Sequence, residues 1–312
     1  MKKTILLFLL IIYSNSFSQI IDVTEIELNF SGDSTPKHIT KGVTKIYFVA
    51  NDGKHGEQLW VHDILTNKSN LVIDLNASYN SNLYRPLLLT VGDILYFIPR
   101  IDDNCELWRS DGTELGTYLV KKWEDNSYFN LTGELLNYNN KIIFSAYDEV
   151  NGKELWISDG TNTGTKLVKD IFPGSANSFP KNFFVFEDNF YFVASNSPNN
   201  YEVWKSIGTT DGTILLKEIN PSTSGLSDTK NNFIIFKNNF YFYANNTING
   251  NELWKSDGTT DGTQLLKDIN TGGNGSGSDD ESTYQTIETP KEMTTIVGDK
   301  NLTEVMDERN IL

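Results

Sequence analysis

The sequence predicts an all-β protein, a β-propeller-like ring of about five four-stranded blades built from 48-residue repeats. Five tryptophans follow one another at intervals of 48, 48, 48 and 50 residues, namely Trp60, Trp108, Trp156, Trp204 and Trp254. Each unit contains four short apolar or aromatic runs separated by polar turns, and helical periodicity is absent. Four strands in a unit of this length match a propeller blade. The alternatives are an open β-repeat stack and part of a larger ring.

The strands are clearest in the fourth copy, where we predict them at roughly 182–186, 190–194, 202–206 and 213–219. Their apolar runs, such as NFFVF and FYFVA, are nearly continuous rather than alternating. Strands that are buried on both faces have this character. Each sheet is therefore expected to be covered on both sides by neighbouring blades.

A cassette of the form ELW-x-x-DGT, followed by a Gly-Thr pair, joins the third predicted strand to the fourth. In the fifth copy, Asp257 is expected to accept backbone N–H groups and Gly258 to take a positive φ. Gly262 is expected to provide a second bend where the hairpin re-enters its sheet. Each tryptophan would bury about 150–250 Å². The predicted structural residues are the five repeat tryptophans with Asp111, Gly112, Asp159, Gly160, Asp257 and Gly258.

A functional interpretation of the cassette competes with the structural one. Glu or Gln recurs two residues before each repeat tryptophan, and Asp recurs three residues after four of them, so these groups would line one rim of a ring. However, the calcium template D-x-D-x-D-G with a later Glu is absent. Ile207 replaces the Asp in one copy and Ile64 replaces the Gly in another. The sequence therefore assigns the cassette to folding and predicts no catalytic residue, metal ligand or cofactor.

Copies such as ELWKSDGTTDGTQLLKDI (252–269) and ELWISDGTNTGTKLVKDIFPG (154–174) resemble the ELWxxDGT repeat family of exported bacterial proteins, which is common in Bacteroidetes-type bacteria. The resemblance covers roughly residues 40–270. It implies a secreted or cell-surface repeat protein, and no established reaction comes with it.

The ends of the chain differ in composition from the repeats. Residues 1–18 have a basic start, an apolar run and small residues before Gln19, which predicts a signal peptide. Residues 19–270 form the predicted repeat domain. Residues 271–312 begin with a Gly, Ser and Asp-rich stretch, which predicts a flexible acidic linker and an unassigned tail. We therefore expect an exported protein, outside the cell or on its outer surface.

The net charge argues against some classes of partner, and the cysteine content excludes an intrachain disulfide. The formal net charge is −15 and the sequence pI is about 4.6, which argues against nucleic acid and anionic membranes as partners. Cys105 is the only cysteine, so no intrachain disulfide forms. No stretch after the signal peptide is apolar enough to predict a transmembrane segment.

The sequence has few other candidates for metal ligands or catalytic residues. His55 and His62 flank Trp60, but a metal site needs further ligands, so we predict none there. Cys105 has no Cys or His near it in sequence and is expected to be a packed thiol. The arginines that a sialidase-like site would need do not occupy equivalent repeat positions; they are Arg85, Arg100, Arg109 and Arg309.

The sequence thus favours a non-enzymatic scaffold or binding module for protein or glycan ligands. The alternative is a secreted glycan-active hydrolase on the same fold. The non-repeating loops are the expected binding sites; they are 76–86, 99–104, 195–201 and 245–251. Aromatic residues in or near them are candidates for stacking on sugars, namely Tyr79, Tyr84, Tyr128 and Tyr201. The ring is expected to close with five blades, with residues 23–36 supplying a strand beside the last blade, or through dimerisation.

Overall fold

The computed structural model describes residues 9–10, 21–22, 33–75, 83, 86–99, 105–123, 134–226 and 233–269. Within these ranges there are strands, turns and loops but no helix. A short antiparallel pair joins β1 (Leu9–Leu10) to β2 (Ile21–Asp22). The remaining strands form five four-stranded antiparallel sheets, which confirms the predicted all-β fold.

The five sheets follow one another along the chain. The first contains β3 (Lys37–Lys41), β4 (Lys45–Asn51), β5 (Glu57–Asp63) and β6 (Lys68–Ile73). The second contains β7 (Leu87–Val91), β8 (Ile94–Ile98), β9 (Cys105–Ser110) and β10 (Tyr118–Trp123). The third contains β11 (Leu136–Tyr138), β12 (Lys141–Asp148), β13 (Gly152–Ser158) and β14 (Lys166–Lys169). The fourth contains β15 (Lys181–Phe186), β16 (Asn189–Ser195), β17 (Tyr201–Ser206) and β18 (Ile214–Lys217). The fifth contains β19 (Ile234–Phe236), β20 (Asn239–Asn245), β21 (Asn251–Ser256) and β22 (Gln264–Lys267).

Each sheet is a meander in which every strand pairs with the next one along the chain. Because the strands are antiparallel, the first-to-second and third-to-fourth turns of a sheet lie at one end, which we call the turn end. The second-to-third loops and the connections to the next sheet lie at the opposite end, which we call the loop end. The DGT turns therefore lie at the turn end, while the Glu of each ELW begins its strand at the loop end.

Consecutive sheets pack face to face, as blades of a propeller do. In the part of the chain that the structure describes, four clusters of buried apolar side chains fill four junctions between consecutive sheets. Between the third and fourth sheets, Ile143 and Leu155 pack against Phe190, Phe192 and Trp204. The first strands also contact one another in order, from β3 to β7, β11 and β15. We call the side of a blade that meets the next blade its leading face, and the other side its trailing face.

A β-bulge beside the tryptophan shapes each junction. In the fourth blade Val203 pairs with Lys217 and Trp204 pairs with Leu215, which leaves Leu216 without a partner opposite it. A bulge re-aims the side chain of the extra residue. Leu216 is buried in the next junction as a result. The other four blades shift register at the same step, between the tryptophan and the leucine before it, and the extra residue is again on the fourth strand.

The strands of the fourth copy agree with the prediction to within one or two residues at most boundaries. The last one, β18, ends at Lys217, two residues before the predicted end. The backbone leaves the sheet there because the N–H groups of Ile219 and Asn220 donate to the Glu202 side chain instead of to a strand. A side-chain acceptor that is placed like this competes with the neighbouring strand for backbone N–H groups.

The first and fifth blades differ from the three between them. Leu266 is exposed on the leading face of the fifth blade, although its counterpart Leu216 is buried in the fourth. Phe48, on the trailing face of the first blade, is half-buried, although its counterpart Phe192 is fully buried. Most of the segment predicted to close the ring, residues 23–32, lies outside the described residues.

Candidate ligand-binding face

Hydrogen bonds within the DGT turn fix its shape. In the fifth copy, Asp257 Oδ1 accepts the backbone N–H of Thr259 at 2.9 Å, and the hydroxyls of Ser256 and Thr263 lie 2.7 Å apart. Gly258 has φ of +85°, and its N–H donates to Ser256 Oγ at 3.0 Å. The Thr259 hydroxyl and N–H bonds lower the pKa of the Asp257 carboxyl. The charged carboxylate is thus used to hold the turn together.

The role of Gly262 differs from the expected second bend. Its φ is not in the positive range, and a Cβ atom there would overlap the carboxylate of Asp257. The same overlap with the preceding Asp occurs at Gly116 and Gly164. Glycine is required at this position because the Asp257 carboxylate occupies the space that a Cβ atom would fill. The Gly262 N–H also donates to Thr259 Oγ1 at 2.9 Å.

The same turn docks on the preceding blade. The Cα atom of Gly258 lies against Tyr191 of the fourth blade, where a Cβ atom would overlap the tyrosine hydroxyl. Lys205 Nζ donates to the Gly258 carbonyl at 3.0 Å, and Lys217 Nζ donates to the Thr263 carbonyl at 2.7 Å. The second and third blades dock in a similar way, with Tyr47 against Gly112 and Tyr96 against Gly160. The DGT turn is therefore an inter-blade contact as well as a hairpin turn.

Two copies depart from the cassette: the fourth keeps the seven-residue turn, whereas the first has a turn of four residues. In the fourth copy Ile207 occupies the position of the Asp, yet Gly212 N–H still donates to Thr209 Oγ1 at 3.1 Å. In the first copy His62 replaces the serine, and its Nδ1 lies 3.0 Å from Ser69 Oγ, which replaces the threonine. The side chain of His62 is buried, and this burial lowers its pKa.

The Glu of the ELW triplet lies at the loop end, and it is buried in the third, fourth and fifth blades. Glu154 Oε2 accepts the Ser178 hydroxyl at 2.6 Å and the Ile171 N–H at 2.8 Å, and Glu154 Oε1 accepts the Ser178 N–H at 3.1 Å. Burial raises the pKa of Glu154 to about 7, although these donors oppose the shift. In the fourth blade, burial raises the pKa of Glu202 to about 8. In the third and fourth blades, the carboxylates that the functional interpretation places on a rim thus tie the connection to the next blade to the sheet.

The residues weighed as metal ligands are engaged separately. His55 Nδ1 lies 2.6 Å from Asp52 Oδ2, and Asp63 Oδ1 accepts the N–H of Leu65 at 3.0 Å and that of Thr66 at 2.9 Å. Within the described residues, no group of three or more His, Cys, Asp or Glu is placed to hold a metal ion. The same ranges contain no helix that is long and apolar enough to cross a membrane.

The strands that flank the predicted binding loops meet those loops at the loop end, and most of residues 76–86 and 99–104 lie outside the described residues. Strands β8 and β9, β16 and β17, and β20 and β21 are joined at the loop end, as are β6 and β7. Tyr201, the one predicted aromatic within the described ranges, is half-buried, and Lys181 Nζ lies 4.3 Å from its ring centroid. Tyr79, Tyr84 and Tyr128 lie outside the described residues.

Three exposed apolar side chains at the loop end were missed in the sequence. They are Val150 and Ile248, in second-to-third-strand loops, and Phe179, just before β15. Phe179 has φ of +48°, and Lys153 Nζ lies 5.9 Å from its ring centroid. A non-glycine residue with a positive φ indicates that the surroundings enforce the conformation. Because Phe179 belongs to no repeated motif, periodicity gave no sign of it.

No protein-family model matches the chain, and no curated protein matches its sequence. Solved structures do match it in shape. TolB from Acinetobacter baumannii is 18% identical, with a TM-score of 0.40 over 70% of this chain and 50% of TolB. A prolyl endopeptidase is 10% identical, with a TM-score of 0.47 over 71% of this chain and 34% of that chain. Oligopeptidase B from Leishmania major is 11% identical, with a TM-score of 0.44 over 74% and 34%. At these identities the likeness is one of fold alone, and the chain spans half or less of each protein's length.

Proposed function

We propose that this protein is a non-enzymatic binding or scaffold module that holds a protein or glycan ligand at the loop end of its blades. The proposal rests on the contacts that the repeated side chains make. The cassette's Glu, Trp, Asp and Gly make contacts within and between blades, whereas Val150, Phe179 and Ile248 at the loop end are exposed and belong to no repeated motif. Binding residues are commonly found on loops that a rigid scaffold positions.

Phe179 is the strongest individual candidate for a ligand contact. Its ring is exposed, and the backbone N–H bond to the Lys153 carbonyl at 3.3 Å fixes its position on the third blade. An exposed aromatic ring offers a face for stacking on a sugar or for packing against a protein side chain. Preorganisation of this kind lowers the entropy lost on binding.

The same proposal places the protein outside the cell or on its outer surface, as a member of the ELWxxDGT repeat family. It rests on the N-terminal sequence, the repeat motif and the acidic composition. Secretion assayed with and without residues 1–18 tests the location. Retention of the wild-type chain inside the producing cell would contradict it.

A binding screen with two matched variants tests the loop end. Full-length protein is applied to arrays of glycans and of extracellular proteins, and hydrolysis of the bound glycans is followed in parallel. Phe179→Ala is expected to weaken binding by about tenfold. Leu115→Ala, which removes an exposed side chain at the turn end, is expected to leave binding unchanged. Equal losses in both variants would place the site elsewhere, and glycan turnover would favour the hydrolase alternative.

A further inference from the structure

The leading face of the fifth blade has the residues that receive a neighbour in the other blades, but its apolar side chains are exposed. Tyr243, Leu266 and Ile269 are 45%, 46% and 72% exposed. Their counterparts in the fourth blade are Val193, Leu216 and Ile219, which are at most 6% exposed because the fifth blade covers them. Burial of such side chains is the main favourable contribution to an interface.

The polar parts of the receiving surface are also present on the fifth blade. Lys255 and Lys267 occupy the positions of Lys205 and Lys217, whose ammonium groups donate to carbonyl groups of the next blade's turn. Tyr241 occupies the position of Tyr191, which receives the glycine of that turn. The fifth blade therefore has the apolar, cationic and tyrosine elements of a junction.

The first blade has the complementary surface. Its trailing face includes the half-buried Phe48, at the position where Phe97, Phe144, Phe192 and Phe242 are buried by the preceding blade. Its third-to-fourth-strand turn, residues 64–67, has four residues where the second blade has seven, and it exposes Ile64 and Leu65. The turn thus presents two apolar side chains at the end of the blade from which other blades dock.

We propose that the leading face of the fifth blade binds the first blade of a second copy of this chain, head to tail. The contact reproduces in trans the junction that the chain forms four times within itself. The shorter first-blade turn has no glycine to place on Tyr241, so Ile64 and Leu65 pack there instead, while the exposed Leu266 and Ile269 face the strands of the first blade. Because the contact joins different faces of the two copies, the assembly grows into a closed ring or an open chain.

Sedimentation velocity of the full-length chain over a wide concentration range tests the association. The wild type is expected to form concentration-dependent oligomers. Leu266→Glu and Leu65→Glu each place a charge in the apolar contact and are expected to weaken self-association by about tenfold or more. Val150→Glu, an exposed site at the loop end of the third blade, is the control and is expected to associate like the wild type. Unfolding midpoints like that of the wild type exclude misfolding as the cause.

Mixing the two variants distinguishes the head-to-tail arrangement from a symmetric one. Leu266→Glu keeps an intact first blade and Leu65→Glu keeps an intact fifth blade, so one junction forms between them. The mixture is expected to contain 1:1 dimers that grow no further. If the wild type stays monomeric at every concentration, the proposal is overturned. A mixture that remains monomeric would also overturn it, as would a control variant that loses association as much as the other two.

Discussion

The backbone of Gly258 in the fifth blade lies directly against the hydroxyl of Tyr191 in the fourth, and a Cβ atom at Gly258 would overlap that oxygen. Burial raises the pKa of Tyr191 to about 12, so the hydroxyl is protonated at physiological pH and stays in the junction as a neutral group. Gly258 also has φ of +85°, a conformation that residues with a Cβ atom rarely adopt. Conformation and inter-blade packing thus both select glycine here.

Gly258→Ala is expected to lower the free energy of unfolding by about 2–4 kcal/mol, from backbone strain and overpacking together. Gly250→Ala is the matched control: its φ is +76° but nothing lies within 4 Å of the new Cβ, so a loss of only about 1 kcal/mol is expected. Tyr191→Phe combined with Gly258→Ala should recover part of the loss. Urea titrations measure all four proteins, and equal losses at the two glycines would show that the tyrosine contact is unimportant.

The fourth copy provides a test of the Asp in the cassette. Ile207→Asp replaces a half-exposed isoleucine with the residue that accepts the Thr259 N–H and hydroxyl in the fifth copy. It is expected to raise the free energy of unfolding by about 1 kcal/mol, and Asp257→Ile is expected to lower it by a similar amount. Thermal and urea unfolding measure both. The hypothesis fails if Ile207→Asp destabilises the protein.

The buried glutamates predict how stability depends on pH. Unfolded Glu154 and Glu202 lose their protons near pH 4.5, whereas the folded protein keeps them until about pH 7 and about pH 8. Between these values the folded state binds more protons, so the free energy of unfolding decreases as pH rises, by roughly 3–5 kcal/mol per glutamate over the whole range. Urea titrations from pH 4 to pH 9 measure this decrease.

Glutamine variants identify which groups cause the decrease. Gln58 occupies the same position in the first blade, and its Oε1 accepts the Leu75 N–H at 3.3 Å, so an amide is compatible with this site. Glu154→Gln with Glu202→Gln is expected to flatten the pH dependence. Glu149→Gln, at an exposed position, is the control and should leave it unchanged. An unaltered slope in the double variant would assign the pH dependence to other groups.

The fold was largely predictable from the sequence because the repeat makes each element visible five times. Trp204 and its apolar neighbours predict strands, and Asp257-Gly258 predicts a turn, from local chemistry alone. The sequence indicated that Gly262 matters but not the reason, which is that the Asp257 carboxylate lies where a Cβ atom would be. Contacts between blades join residues about fifty positions apart, and a single sequence does not reveal them.

The candidate binding face was predictable only in outline. The loops predicted to bind a ligand lie at one end because the strand order places them there. Phe179 was missed because its exposure and positive φ depend on the packing of the third blade around it. Tyr201 was chosen as an exposed aromatic, but Lys181 lies over its ring, a contact that no local pattern indicates.

Lys217 and Lys267 occupy equivalent positions in the fourth and fifth blades. Replacing each in turn shows how much of the stability comes from the hydrogen bonds that a lysine makes across a junction. Lys217 Nζ donates to the Thr263 carbonyl at 2.7 Å and to the Thr260 carbonyl at 3.4 Å, both in the next blade, whereas Lys267 is exposed. Lys217→Met keeps the apolar stem and removes these charge-assisted bonds, so it is expected to lower the free energy of unfolding by about 1.5–3 kcal/mol. Lys267→Met is expected to leave the stability of the dilute monomer within about 0.5 kcal/mol of the wild type. Urea titrations at low protein concentration compare the two. If both variants lost the same stability, the carbonyl bonds across the junction would not be the cause, and the lysine would act within its own blade.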